Sequence, residues 1–230
     1  MLEGEDEQTI SKQFVLFHQR VLPDLANNIK CGNSLIGPDF YKSQQMTFLD
    51  EEETYRINAF DWQAEFLEII KNGGFDAVIG NPPYIRIQGM KEWAPLEVEH
   101  YKKAYKAAGK GNYDIYVVFV EKGLSLLNDR SGLGFILPHK FFNSQYGESL
   151  RGLLAEGRHL SSIVHFGYQQ VFSGATTYTC LLFLTQSGNE NVYISQGSEK
   201  LTDFSLIKFI RRLSGGMFSV EPHGQARGTT

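Results

Sequence analysis

Phe75-Asp76-Ala77-Val78-Ile79-Gly80-Asn81-Pro82-Pro83-Tyr84 reads as a short buried strand that stops at a Gly-Asn-Pro-Pro turn. In open α/β folds ligands bind at the carboxyl edge of the sheet, which is where this turn must lie. Two successive prolines fix their own φ and bias the residue before each away from helix, so the turn is rigid and extended. Proline has no backbone N–H, and the Asn81 side-chain carbonyl stands beside the Pro82 carbonyl as a second acceptor. Two fixed acceptors suit an –NH₂ group. Accepting both of its hydrogens turns the nitrogen lone pair out of conjugation and makes it nucleophilic. Tyr84 adds a face on which a planar amide or base can stack. The plain alternative is a strand-ending Asn-Pro turn with an incidental tyrosine. No histidine or carboxylate lies between Asn81 and Tyr84 to act as a general base, so such a nucleophile needs a strong electrophile, and a sulfonium methyl donor fits.

Outward from this stretch, helical spacing over 62–71 ends at Gly73-Gly74, and 113–127 reads as a largely buried helix. Further strands are expected at 28–31, 132–137, 161–166, 177–185 and 191–194, and further helices at 14–22, 144–156 and 201–213. Residues 39–61 read as a polar loop, and 86–112 as basic, aromatic and irregular. Helices alternating with short apolar strands imply an α/β domain with a mainly parallel sheet. Only ten residues join 161–166 to 177–185, too few for a helical crossover, so that pair is expected to be antiparallel.

The 230 residues suffice for one good-sized domain, and 42% apolar with 13% aromatic content excludes disorder as the main theme. Net charge is −4, which argues against a polybasic nucleic-acid binder. The charge is uneven: residues 1–70 carry 13 acidic and 5 basic side chains, while 71–230 carry 13 acidic and 17 basic. Arg86, Lys91, Lys102, Lys103, Lys106 and Lys110 crowd together, as a polyanion-facing segment or as a solvated helix face. Cys31 and Cys180 form no CxxC pair, the amino terminus is acidic, and the apolar runs at 115–120 and 180–184 are far shorter than a membrane span. A cytoplasmic chain without membrane partners is expected. The histidines show no metal-ligand spacing, so no metal site is expected, and Ser144 and Ser173 lack a nucleophile-elbow context.

Asn81-Pro82-Pro83-Tyr84 after an apolar strand resembles the catalytic loop of S-adenosylmethionine-dependent amino-methyltransferases. Adenine-specific DNA, guanine-specific ribosomal RNA and release-factor glutamine methyltransferases all carry close versions of it. Gly32-Asn33-Ser34-Leu35-Ile36-Gly37, Gly111-Asn112-Tyr113-Asp114-Ile115-Tyr116, 132–138 with Lys140-Phe141-Phe142, and 171–179 resemble further motifs of adenine methyltransferases of type IIG restriction–modification systems. They stand in that family's order over about residues 25–185.

The resemblance implies a Rossmann-like class I methyltransferase sheet, strand order 3-2-1-4-5-7-6, here lacking the first two strands. It implies double-stranded DNA as partner and methyl transfer from S-adenosylmethionine to the exocyclic amine of a flipped adenine. Asn81 and the Pro82 carbonyl would hold the amine, Pro83 and Tyr84 would bound and stack on the base, and Phe172 would pack from another side. Asn33 would bind the adenine of the methyl donor. Phe172 reads equally as a core side chain, and Asn33 as a plain turn residue. The expected organisation is a partial catalytic domain over 1–200, with 201–230 leading towards a recognition domain. The donor's glycine-rich loop has no counterpart before residue 28, so an N-terminal half in cis or as a partner chain is expected. The alternatives are an RNA or protein-glutamine amino-methyltransferase, or a non-catalytic remnant that binds DNA or a partner.

Overall fold

The computed structural model describes residues 27–43, 51–168 and 178–197. The expected helices at 14–22 and 201–213, and the boundary at residue 200, lie outside the described residues. No helix among the described residues is long and apolar enough to cross a membrane.

No strand forms at 28–31; these residues are exposed. The chain instead turns at Gly32-Asn33-Ser34 and makes one isolated parallel bridge, Asn33 to Ala59. The Asn33 N–H donates to the Asn58 carbonyl at 2.7 Å, and the Phe60 N–H to the Ile36 carbonyl at 2.8 Å. The polar stretch 39–61 contains two helices, α1 (Asp39–Ser43) and α2 (Glu51–Ile57), which bury Phe40 and Ile57. The acidic run that suggested a loop places Glu51, Glu52 and Glu53 in the first turn of α2, where the helix dipole favours carboxylates.

Residues 62–71 form two short helices, α3 (Trp62–Glu65) and α4 (Leu67–Lys71). The Asp61 carboxylate caps α3, accepting from the Gln63 and Ala64 N–H groups at 3.0 Å each. The break at Phe66 sets its ring against Trp62 and Phe75, with centroids 5.7 and 5.3 Å away. Gly74 then takes φ +124°, and a Cβ there would stand 2.5 Å from the Leu126 carbonyl oxygen. Only glycine permits that approach.

The decisive strand is β1 (Phe75–Gly80), paired in parallel with β2 (Leu127–Pro138). The crossover between them was expected to be irregular over 86–112. It contains α5 (Ile87–Trp93), α6 (Pro95–Ala104) and a 3-10 turn at Lys106–Ala108, and then α7 (Tyr116–Ser125). Ile87, Met90, Ala94, Val98 and Tyr101 are buried at helical spacing, while lysines and glutamates fill the intervening positions and mask the pattern.

After β2 come a 3-10 turn (His139–Phe142), α8 (Glu148–Glu156), β3 (Leu160–His165), β4 (Thr179–Thr185) and β5 (Tyr193–Gln196). The described strands order as β1-β2-β4-β3-β5. β4 lies antiparallel to both β2 and β3, and β5 is parallel to β3. The antiparallel β3–β4 pair is as expected, and β1-β2-β4-β3 reproduces the 4-5-7-6 half of a Rossmann-like methyltransferase sheet. The sheet is mixed rather than mainly parallel, because β4 inserts antiparallel between β2 and β3. β1 is also less buried than its sequence implies: among the described residues it ends the sheet and pairs only with β2, and Ile79 is 47% exposed.

Candidate active site

Because β1 and β2 run in parallel, with Gly80 opposite Phe135, their carboxyl ends open at the same edge of the sheet. Asn81 to Tyr84 leave β1 there. The chain is pinned again directly after them: the Ile87 N–H donates to the Tyr113 carbonyl and the Ile115 N–H to the Ile85 carbonyl, both at 2.9 Å. The Asn112-Tyr113-Asp114-Ile115 segment is therefore the clamp that holds the exit of the proline turn.

Within the turn Pro82 is buried and Asn81 and Pro83 are exposed. Neither the exposed Asn81 side chain nor the Pro82 carbonyl is hydrogen-bonded among the described residues. Tyr84 is half-buried, and its hydroxyl donates to the Ile136 carbonyl of β2 at 3.2 Å. Burial, helped by nearby Cys180, pushes its phenol up to about 12, so it stays protonated at neutral pH. The Tyr84 ring packs in part against the hydrophobic core and makes no aromatic contact among the described residues.

Tyr84 lines a cleft of about 580 Å³ together with Arg86, Asp114, Pro138, His139, Lys140, Asn143, Ser144 and Tyr178. The Asp114 carboxylate accepts from the Tyr146 hydroxyl at 3.3 Å, and Tyr146 is 2.9 Å from the buried Tyr116 hydroxyl. His139 stacks with His165, Tyr178 and Phe142, with centroids 4.4, 6.0 and 6.3 Å away. Burial, then the neighbouring His165, lowers the His139 pKa, which favours a neutral imidazole. The sequence drew attention to Arg86 only as charge, and to Asp114, Lys140 and Tyr178 only as members of motifs. The available signal was position: Pro138 ends β2, so His139 and Lys140 must fall at the same sheet edge as Asn81.

Of the expected site residues Tyr84 lines this cleft, whereas Asn81, Pro82, Pro83 and Asn33 are not among its lining residues. The Asn33 side-chain carbonyl accepts from the Leu35 N–H at 3.2 Å, and its amide donates to the Tyr101 hydroxyl at 3.4 Å. The Tyr105 hydroxyl holds the same turn through the Leu35 carbonyl at 2.6 Å. Among the described residues these bonds leave one lone pair and one N–H of the Asn33 amide unused. Phe172 lies outside the described residues.

Comparison with known proteins adds the family. Residues 9–172 match the Eco57I restriction-modification methylase family. The type II restriction enzyme and methyltransferase RM.Eco57I of Escherichia coli is 38% identical over 191 residues, covering 83% of this chain and 17% of that protein. The type II methyltransferase M.PaeR7I of Pseudomonas aeruginosa is 35% identical over 130 residues, covering 55% of this chain and 21% of that protein. The chain thus spans 17 to 21% of the length of these two relatives. The methyltransferase subunit of a type I restriction-modification system from Streptococcus thermophilus superposes with a TM-score of 0.44 at 18% identity, covering 61% of this chain and 32% of that one. That likeness is too loose to add to the sequence match. On the match over residues 9–172, this chain belongs to the Eco57I restriction-modification methylase family.

Proposed function

We propose that this chain is catalytic machinery of a site-specific DNA adenine methyltransferase of the type IIG restriction–modification kind, working in the cytoplasm. The observation that carries the reading is the pair of acceptors without a hydrogen bond among the described residues, Asn81 Oδ1 and the Pro82 carbonyl, on a turn pinned at both ends and followed by Tyr84, which lines the cleft. Asn81 and Pro82 accept the two hydrogens of the target amine, and Pro83 keeps the turn extended. Tyr84 stacks on the flipped base, with Phe172 as a second aromatic contact. When bound, S-adenosylmethionine supplies a sulfonium-borne methyl group electrophilic enough to need no general base. The Asn33 amide retains the donor and acceptor that an adenine ring of that methyl donor requires.

The outer edge of β1 has no strand partner among the described residues. A strand of the donor-binding half, in cis or from a partner chain, is proposed to pair there. A recognition domain, reached through 201–230, is proposed to supply sequence specificity.

The test offers double-stranded DNA, ribosomal RNA and release factor side by side with methyl-labelled donor and the donor-binding half. Label on DNA adenine supports the reading. Label on guanine in RNA or on protein glutamine would identify the related chemistries, and no label on any of them would leave a non-catalytic remnant.

A further inference from the structure

The cleft beside Tyr84 contains more than a stacking surface. Arg86 and Lys140 both line it, and neither makes an ion pair or side-chain hydrogen bond among the described residues. This contrasts with Lys103 and Lys110 of the same basic half, which are neutralised by Glu99 at 2.6 Å and Glu148 at 2.8 Å. Within the cleft two cations face one carboxylate, Asp114, and that carboxylate is already engaged by Tyr146. On a chain of net charge −4, an anionic strand is attracted only where cations stand unopposed.

Both side chains are set by the backbone. Arg86 sits on the antiparallel bridge to Asp114, two residues beyond Tyr84. Lys140 belongs to the 3-10 turn that starts directly after Pro138, the last residue of β2. Two neighbouring parallel strands thus deliver one cation each to the edge where the proline turn lies. Arginine and lysine differ usefully here: the guanidinium fork matches two phosphate oxygens, and the ammonium acts as a point charge.

We propose that Arg86 and Lys140 grip the sugar-phosphate backbone flanking the target nucleotide, holding the strand while the base lies against Tyr84. This rests on the reading of the chain as a nucleic-acid methyltransferase and names the residues that position its substrate strand. Such contacts fix register and carry no sequence information, so their loss weakens all sequences about equally.

The test is equilibrium binding of a single-stranded DNA oligonucleotide to the 230-residue chain over a series of salt concentrations. Each phosphate contact contributes about 0.7 to the slope of log affinity against log salt on single strands. Arg86→Ala and Lys140→Ala are each expected to lower the slope by about that amount. Arg86→Lys should keep most of it. Lys71→Ala removes the same charge at the amino end of β1, away from the cleft, and should leave the slope unchanged. If the wild-type chain binds but the cleft variants keep its slope, the clamp is wrong while the methyltransferase reading stands. Equal slope losses in Lys71→Ala and the cleft variants would reduce the effect to bulk charge and also overturn it. A wild-type chain that binds no oligonucleotide at any salt overturns the clamp and counts against the reading beneath it.

Discussion

Asn33 and Asn81 each follow a glycine at a turn, yet the fold uses them in opposite ways. The Asn33 side chain closes its own turn onto Leu35 and reaches the Tyr101 hydroxyl of α6, so it contributes to the packing of that region. The Asn81 side chain is exposed and makes no hydrogen bond among the described residues. Its turn is held instead by its neighbours: the β1–β2 ladder before it, buried Pro82 within it, and the bridge of Arg86 to Asp114 after it. A polar side chain that the fold positions but does not use is free for a substrate. One that the fold uses must divide its hydrogen-bonding capacity between structure and ligand.

The largest expected effect breaks the comparison on the Asn81 side. Removing one preorganised hydrogen-bonding group aimed at the reacting centre costs about 100-fold or more in turnover. Asn81→Ala should therefore lower methyl transfer by about that factor while the unfolding midpoint stays at the wild-type value. A shifted midpoint would show that Asn81 is structural after all.

The next effect lies beneath the Asn33 turn. Glu97 of α6 is only 3% exposed and is held by the Arg56 guanidinium in a two-point contact. Losing one member of a buried pair costs several kcal/mol, but Arg56 is itself about a third exposed, which discounts the figure. Denaturant unfolding of Arg56→Met should show a loss of about 2 kcal/mol.

Asn33→Ala removes two hydrogen bonds of that turn, and about 1 kcal/mol of stability is expected to go with them. The same variant should weaken donor binding in calorimetry. Lost stability with unchanged donor binding would leave Asn33 a purely structural residue and sharpen the contrast with Asn81.

The smallest effect is pH-dependent and returns to the cleft. Because burial and His165 hold the folded-state pKa of His139 below its unfolded value, the unfolded chain binds more protons in the window between the two. Stability from the neutral imidazole is present above the ordinary histidine value, about 6.5, and is lost as pH falls through the depressed one. Thermal melts of the wild type should therefore fall off faster below about pH 6.5 than those of His139→Phe, which keeps the stack without the titration. Parallel pH curves for the two proteins would remove His139 from that role.

Much of the sheet was legible because β1, β4 and the second half of β2 are apolar stretches, with β1 stopping at Gly80-Asn81 and β2 at Pro138, and because a ten-residue link cannot cross over. The polar first part of β2, Asn128 to Ser131, was not legible as strand. Helices α5 and α6 were hidden by surface lysines and glutamates, although Ile87, Met90, Ala94, Val98 and Tyr101 keep a helical period. The strand expected at 28–31 failed because four residues of weak alternation cannot outweigh the turn at Gly32-Asn33-Ser34. Asn81, Pro82 and Tyr84 could be found from their order alone, since the acceptors and the ring are adjacent in the chain. The opposite wall of the cleft could not. Lys140 and Tyr178 join Tyr84 only through the parallel register of β1 on β2 and the antiparallel register of β4 on β2, which are tertiary facts.

The most direct measurement is nucleoside mass spectrometry of DNA incubated with methyl donor and either the wild-type protein or Asn81→Ala, each with the donor-binding half present. The wild type should place methyl groups on the exocyclic amine of adenine, and Asn81→Ala should place at most about one hundredth as many. Equal adenine methylation by both proteins, or none by the wild type, would contradict the assignment of the Asn81–Tyr84 turn as the methyl-transfer site.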